Sequence, residues 1–311
     1  MKARISSTYL LVVLTVLYGV SCQLEESNYN ARFKPFTHEF GLLSGYNLLE
    51  PTETFILPQE LTEISGLATV NDSILACVQD EAGVIYLYNL NQEKVVERHR
   101  FAGGGDFEGI EIVGDQAYVL KSNGNIYHYS FENKTTNTIK TLLKRANNAE
   151  GLSFDSLNNR LLIACKNQAG LGGEELSGKA VYSYNLATGF APDPVFLITP
   201  VELEWWNEKQ ANPLKLTNRK KAFMPSAIAI HPESRDIFML ATVGKLLMVL
   251  SPTGKLKHVV PLSPRVFRQP EGICFTSNGH LIISNEGQDG NGKIHLFRKE
   301  TIGMPNTPNT D

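Results

Sequence analysis

A glutamate followed by glycine and an aliphatic residue occurs three times in this 311-residue sequence. The three glutamates are Glu108, Glu150 and Glu271. Carboxylates that are brought together in a folded protein repel one another, unless they take up protons, contact a positively charged side chain or bind a cation. If the three copies of the motif converge in the fold, their glutamates are therefore candidates for a metal site.

Two degenerate copies of the motif carry serine in place of glutamate, at Ser65-Gly66 and at Ser226-Ala227. The small residues of the five copies lie at positions 66, 109, 151, 227 and 272, which gives spacings of 43, 42, 76 and 45. Each copy precedes short apolar runs separated by turn residues, a pattern typical of antiparallel strands. Four-stranded units of about 43 residues are typical of a radial β-propeller. The sequence thus predicts an all-β fold, a five-bladed β-propeller over residues 50–299.

The spacing of 76 residues leaves open a sixth blade, so a six-bladed propeller is the alternative. The extra residues, 200–223, contain Trp205, Trp206 and the basic run 219–221, but no alternating strands. We therefore expect one inserted loop that is partly helical. A β-sandwich does not require repeats of nearly equal length and is less favoured.

The fifth unit lacks an outer strand, whereas an isolated strand-like run, Glu53 to Leu57, precedes the first unit. Pairing this run with the fifth unit would close the ring and protect its strand edges. We expect the two ends of the propeller to be joined in this way.

In a propeller, the first strand of each unit lines the central channel, and the start of that strand lies on the same face as the end of the second strand. The repeat register therefore places the three glutamates at one end of the channel. It brings the ends of the second strands to the same face: Asp80 or Glu81, Lys121, Lys166 or Asn167, Thr242, and Asn285 or Glu286.

The Glu, Asp, Asn and Ser side chains among these candidates are hard oxygen donors, and the set contains no histidine or cysteine, which suits calcium better than zinc. A calcium ion near the axis would offset the repulsion among the glutamates, with Lys121 and Lys166 as further compensation. The alternative is a purely structural role, in which backbone amides and lysines hold the glutamates.

Long loops on a rigid scaffold often carry binding function. The insertions 167–178 and 200–223 and the loop 286–292 are all expected on the face of the glutamates. Candidate ligand-binding residues on this face are Lys121, Lys166, Arg145, Arg268, Trp205 and Trp206. The two tryptophans could instead dock a helix on the propeller. The sequence contains no Gly-x-Ser-x-Gly elbow and no His-Glu-x-x-His zinc motif.

The N-terminus has the three regions of a secretory signal, with Lys2 and Arg4 before the apolar run 9–16 and small residues up to Cys22. This pattern predicts a signal peptide (1–21), lipidation of Cys22 and a tether (22–49), and hence a lipid-anchored location in the envelope of a bacterium. Ordinary signal cleavage is the alternative, because Gly19 stands where a lipobox has an aliphatic residue. Residues 300–311 are expected to be a disordered tail, and a net charge of −3 gives no indication of nucleic-acid binding.

Four segments together resemble the SdiA-regulated family of bacterial propellers: Glu63 to Ala68, Asp80 to Tyr86, Asp106 to Ile110, and Asn148 to Leu152. The resemblance covers roughly residues 50–298. It implies a five-bladed propeller, calcium at a site of acidic residues and an envelope location. By position, the implied ligands are Glu108, Glu150, Glu271, Asp80 and Asn285. Ser65 and Ser226 depart from the family pattern.

The favoured hypothesis is a calcium-binding envelope lipoprotein that binds a small-molecule or protein ligand without catalysis. The motif Asp-x-Glu-Gly-Ile also occurs in esterase-like phytases, which supports an alternative. In this alternative, the protein is a calcium-dependent hydrolase of phosphoesters or lactones, in which lysines and arginines of the same face hold an anionic group.

Overall fold

The computed structural model describes residues 42–43, 45–210, 213–214 and 223–300 of the chain. Short strands dominate these residues, because apolar and polar side chains alternate between turns that are rich in Asn, Asp and Gly. The described residues form one α-helix, and the remaining regular structure is almost entirely antiparallel sheet.

The strands form five four-stranded sheets, the blades, each arranged from the centre of the ring outward. Before the first blade come β1 (Leu42–Leu43), β2 (Tyr46–Asn47) and β3 (Glu53–Ile56). Blade 1 consists of β4 (Ile64–Asn71), β5 (Ile74–Gln79), β6 (Ala82–Asn89) and β7 (Lys94–Gly104). Blade 2 consists of β8 (Phe107–Val113), β9 (Gln116–Lys121), β10 (Ile126–Ser130) and β11 (Thr135–Ile139). Blade 3 consists of β12 (Ala149–Asp155), β13 (Arg160–Cys165), β14 (Lys179–Asn185) and β15 (Gly189–Ile198). Blade 4 consists of β16 (Ala227–Ile230), β17 (Ile237–Ala241), β18 (Leu246–Leu250) and β19 (Leu256–Pro261). Blade 5 consists of β20 (Pro270–Phe275), β21 (Leu281–Asn285), β22 (Lys293–Phe297) and β3.

The prediction of a ring closed by an N-terminal strand is confirmed. Strand β3 pairs antiparallel with β22, from Leu296↔Glu53 to Lys293↔Ile56. The five inner strands contact one another in sequence, and β20 contacts β4 to complete the circle. The six-bladed alternative is wrong, because residues 200–208 form a helix rather than a sheet.

The motif glycines are required by the close approach of the inner strands. A Cβ atom on Gly66 would lie 2.9 Å from the Cα atom of Gly109. One on Gly151 would lie 2.9 Å from the backbone nitrogen of Ile228. Because backbone atoms surround these positions, any side chain would force neighbouring blades apart.

The residue before the motif glycine occupies a β-bulge in four of the five inner strands. In blade 2, for example, the pairing passes from Phe107↔Lys121 directly to Gly109↔Leu120. The four bulge residues are Ser65, Glu108, Glu150 and Glu271. A bulge turns the extra side chain away from the normal alternation. This local distortion explains how the glutamates leave the packed layers between blades and reach the axis.

We call the end of the ring at which the inner strands begin the upper face, and the opposite end the lower face. The hairpin of β1 and β2 packs on the lower face. There the Tyr46 hydroxyl donates to the carbonyl of Gly279 and lies 3.0 Å from Nε2 of His231. Its ring packs against Phe238 and Phe275.

Helix α1 (Pro200–Glu208) begins in a capping box formed by Thr199 and Glu202. It lies beside β19, at the outer edge of blade 4. Within the part of the chain that the structure describes, no helix has the length and apolar character needed to cross a membrane.

Candidate functional site

The three motif glutamates line one small cavity at the centre of the ring. The cavity has a volume of about 10 Å³, and its walls include Glu108, Glu150 and Glu271 together with the motif glycines. This volume is about the minimum that holds one water molecule. The structure therefore brings the three predicted residues together around a space that is large enough for one water molecule or one ion.

One ammonium group, that of Lys166, interacts with all three glutamates. Its Nζ atom lies 3.1 Å from Oε2 of Glu150, whose other oxygen accepts from the Asn148 amide at 2.5 Å. Burial lowers the pKa of Lys166, but the charges of Glu150, Glu271 and Glu108 outweigh this effect and raise it. Lys166 thus interacts with all three carboxylates, whereas Lys245 interacts with Glu271 alone.

The electrostatic imbalance is largest at Glu108. Burial, followed by the charges of Glu150 and Asp106, raises its pKa to about 9. A side-chain hydrogen bond with Asp106 also favours the protonated form of Glu108. Asp106 in turn accepts a hydrogen bond from the Ser122 hydroxyl. In the absence of a cation, Glu108 therefore carries a proton at neutral pH.

Glu271 and Glu150 also have raised pKa values. Burial raises the pKa of Glu271 to about 7, with opposing effects from Lys166, which lowers it, and from Glu150, which raises it. Burial raises the pKa of Glu150 despite the charge and hydrogen bond of Lys166. Buried carboxylates with perturbed pKa values in a central depression are typical of functional sites.

The serines that replace glutamate in the other two units have structural roles. The Ser65 hydroxyl donates to the carbonyl oxygen of Phe107 at 2.6 Å, and the Ser226 hydroxyl donates to that of Pro270 at 3.0 Å. Each serine therefore links its blade to the residue just before a glutamate of the next blade. The two departures from the repeat motif fix the backbone beside the acidic site.

The donor set at the axis fits a hard cation. Three carboxylates supply up to six oxygen atoms, which is within the range that calcium takes, and water can fill remaining positions from the upper face. Among residues 42–43, 45–210, 213–214 and 223–300, no three His, Cys, Asp or Glu side chains already stand in metal-binding geometry. Holding an ion would therefore require rotation of the glutamate side chains toward the cavity.

Two further residues that the family resemblance implies as ligands lie outside the lining of the axial cavity. Asp80 belongs to an acidic group with Glu63, Glu81 and Glu286. Burial and then the charges of Glu63 and Glu81 raise the pKa of Asp80 to about 6. Asn285 is 3% exposed and lines a second cavity.

The predicted ligand-binding cations are dispersed. Lys121 lies with its ammonium 5.6 Å from the centre of the Phe107 ring. Arg145 is exposed on the segment before β12. Arg268 is exposed and lines the second cavity with Asn285. Of the predicted cations, Lys166 is the one that reaches the glutamates.

The tryptophans serve the helix rather than the channel. The Trp206 indole nitrogen donates to the carbonyl of Lys257 on β19 at 3.2 Å. Trp205 is 56% exposed, with the Lys209 ammonium 3.7 Å from the centre of its ring. Neither residue lines the axial cavity. Trp206 instead docks the helix on the propeller, which was the alternative role that the sequence left open.

The two insertions meet on the upper face. Residues 168–179 and the start of α1, with Phe223, surround a cavity of about 550 Å³. This size is ordinary for a small-molecule site. The cavity supports the expectation that the insertions share one face.

Sequence reasoning did not single out Asp106, which stabilises the proton on Glu108. The sequence could have indicated this residue, because Asp106 stands only two residues before Glu108. The N-terminal predictions, including the signal peptide and Cys22, lie outside the described residues, as do residues 301–311 of the expected tail.

Comparison with solved structures supports the architecture. Glutaminyl cyclase from Myxococcus xanthus is similar with a TM-score of 0.52 and 13% identity, over 80% of this chain and 95% of that chain. A protein of unknown function from Bacteroides thetaiotaomicron is similar with a TM-score of 0.50 and 11% identity, over 79% of this chain and 60% of that chain.

The chain is a five-bladed β-propeller. At these identities, the likeness shows the fold alone. A scan against protein-family models finds no match, and a search of curated proteins finds none either. Function must therefore be argued from the site.

Proposed function

We propose that this propeller binds calcium at its axis and a small-molecule or protein ligand on its upper face, as a lipid-anchored protein of the bacterial envelope. The observation that carries the calcium site is the convergence of Glu108, Glu150 and Glu271 on one cavity of about 10 Å³. Each of the three glutamates occupies a β-bulge, a feature that re-aims a side chain and is over-represented next to active sites.

Charge supports a cation in this cavity. Three carboxylates face Lys166, and Lys245 interacts with Glu271 alone, so without a bound cation the excess negative charge is removed by protonation. A divalent ion would neutralise this excess negative charge and displace the protons. Bound calcium would supply positive charge at the axis and join the inner strands of blades 2, 3 and 5. The resemblance to the SdiA-regulated family supports the same assignment.

Calcium titration calorimetry on protein passed over a chelating resin tests the metal site. We expect saturable binding to the wild type at pH 8 and at least a tenfold weaker affinity in Glu150→Gln and Glu271→Gln. The control is Glu132→Gln, which removes the same charge from an exposed turn of blade 2. An absence of heat in the wild type, or equal affinity in all four proteins, would contradict the proposal.

The position of the N-terminal hairpin supports the anchored arrangement. Strands β1 and β2 pack on the lower face, whereas the glutamates and the two insertions lie at the upper face. A tether that leads to Cys22 would thus leave the upper face free to bind a partner. Mass spectrometry of the mature protein should find diacylglycerol on Cys22, and an unmodified mature N-terminus would reject the anchor.

A calcium-dependent hydrolase is the second candidate, and one observation favours it. Glu108 holds a proton at neutral pH, and a protonated carboxyl is what a general acid requires. Asp106 would retain that proton, while the Lys166 ammonium would attract an anionic substrate group. In the metal-loaded protein, this role requires Glu108 to stay off the ion.

A substrate screen separates the two candidates. Phosphoesters, phytate and lactones are incubated with the purified protein, with either calcium or a chelator, and a peptide with N-terminal glutamine is added because a cyclase shares the fold. Turnover that requires calcium and is lost in Glu108→Gln would establish the hydrolase. Turnover that is insensitive to chelator would reject it, and no turnover would favour the binding role.

A further inference from the structure

A second cavity lies at the upper edge of blade 5, apart from the axis. It has a volume of about 420 Å³. Its floor is formed by β21 and β22, and its walls by the segments 265–268 and 286–291. The polar side chains that matter for its chemistry are Arg265, Arg268, Lys293, Asn285, Glu286 and Asp289.

Asn285 is the unusual residue of this cavity. It is 3% exposed, and neither the oxygen nor the nitrogen of its side-chain amide has a hydrogen-bond partner. A buried amide without partners destabilises a fold, so such groups are rare and call for an explanation. A ligand with its own donor and acceptor would supply one.

The alternation of β21 and β22 fixes the direction of Asn285. Leu281 and Ile283 pack with Phe267 in the cluster between blades 4 and 5, and Asn285 is next in the same alternation. It stands directly opposite Lys293 on β22. The Asn285 amide therefore faces the segment that carries the two arginines.

Three positively charged side chains line the same cavity as this amide. Arg265, Arg268 and Lys293 are exposed, and among the described residues none of them forms an ion pair. Glu286 accepts a hydrogen bond from Gln269 and interacts with Glu271 toward the axis. Asp289, an exposed loop residue, is the remaining carboxylate of the lining. The cavity thus presents three cations without ion pairs, beside the unpaired Asn285 amide and the unpaired Nε2 atom of His295.

We propose that this cavity binds a small organic anion in which a carboxylate or phosphate lies a few bonds from an amide. Arg265, Arg268 and Lys293 would contact the anionic group, as arginine does in a bidentate manner. The Asn285 amide would pair with the ligand amide by one donated and one accepted hydrogen bond. The inference specifies a ligand site for the upper-face binding role proposed above, but it does not require calcium at the axis.

Binding is tested by isothermal titration with three probes, succinamate, succinate and inorganic phosphate, at low ionic strength in resin-treated, calcium-free buffer. Succinamate carries one carboxylate and one amide, succinate carries two carboxylates, and phosphate lacks a carbon frame. We expect saturable binding of succinamate in the millimolar range, at least fivefold tighter than that of succinate. Affinity should fall as salt is added, because the cations are exposed.

Two substitutions assign the binding to this cavity. Arg268→Gln should weaken succinamate binding at least fivefold, whereas Arg100→Gln, which removes a comparable exposed charge from β7 outside the cavity, should leave it unchanged. Asn285→Leu should abolish the preference for succinamate over succinate. Because leucine removes a buried amide without partners, we also expect a higher urea midpoint for this variant.

Three results would overturn the proposal: no saturable binding of any probe, binding of succinamate that survives both Arg268→Gln and Asn285→Leu, or binding of phosphate alone. Should Asn285→Leu fail to fold, the exposed Arg265→Gln and Arg268→Gln variants decide the outcome. Failure of these probes leaves the calcium titration intact, so the two proposals fail separately.

Discussion

Buried carboxylates occur at both ends of the inner strands, and their surroundings are opposite. At the lower end, Asp155 accepts hydrogen bonds from Asn158 at 2.6 Å and Arg160 at 3.0 Å through one oxygen, and from Arg235 at 3.2 Å through the other. At the upper end, Glu108 shares a proton with Asp106 and faces other glutamates. Burial alone would raise the pKa of both acids. Around Asp155, the hydrogen bonds and the arginine charges outweigh burial and lower its pKa, whereas around Glu108 the neighbouring charges raise it further.

This difference distinguishes an acid that stabilises the fold from the candidate acids of the proposed site. Arg235 lies in the turn after β16, so Asp155 joins blade 3 to blade 4 by an ion pair with complete hydrogen bonding. The upper glutamates join no blades in this way and leave charge uncompensated. Proteins commonly violate local energetic rules at functional sites, and satisfy them elsewhere.

The largest expected effect is on the structural acid. Asp155→Ala removes the shared partner of Arg160 and Arg235 and should lower the free energy of unfolding by about 3 kcal/mol. Urea denaturation measures the loss, and calcium titration of the same variant should give wild-type affinity. A free energy of unfolding close to that of the wild type would show that the ion pairs of Asp155 do not stabilise the fold. The contrast between Asp155 and the upper glutamates would then be lost.

Replacing Glu108 should raise the free energy of unfolding rather than lower it. The folded pKa is about 9 and the ordinary value is 4.5, so between these values the folded state holds more protons than the unfolded state. Stability therefore falls as pH rises through this window, by up to about 1.4 kcal/mol per pH unit. Glutamine mimics the protonated acid and should stabilise the calcium-free protein by on the order of 1–2 kcal/mol at pH 8.

Urea denaturation of wild type and Glu108→Gln at pH 6, 7 and 8 in calcium-free buffer checks this prediction. The wild-type profile should descend more steeply than that of the variant. Parallel profiles would show that Glu108 is ionised throughout, and would remove the contrast with Asp155.

The smallest expected effect concerns the serines beside the acidic site. Ser226→Ala deletes the hydrogen bond to the carbonyl of Pro270 and should cost about 1 kcal/mol of stability. Because Ser226 has no charge, calcium affinity should change less than twofold. A tenfold loss of affinity would place Ser226 among the ligands and extend the functional set to a fourth blade.

Much of this architecture was predictable because the repeat is local. The Glu-Gly spacing predicted the blades, and the isolated run at Glu53 predicted ring closure. The same register placed the three glutamates at one end of the channel. The register did not give the direction of the Asn285 side chain, because β21 has no bulge there and the ordinary alternation turns that side chain toward blade 4. It could not place Trp206 either, because the docking of α1 on β19 depends on packing between distant segments.

The sequence by itself determined the fold class, the closure of the ring and the convergence of Glu108, Glu150 and Glu271, since each follows from strand periodicity repeated at nearly constant spacing. The tertiary structure decided which of these carboxylates are compensated. Lys166 reaches the glutamates while Lys121 lies on Phe107, and Asn285 is left without partners. These outcomes depend on burial and on distances between blades, and no local pattern in the chain encodes either quantity.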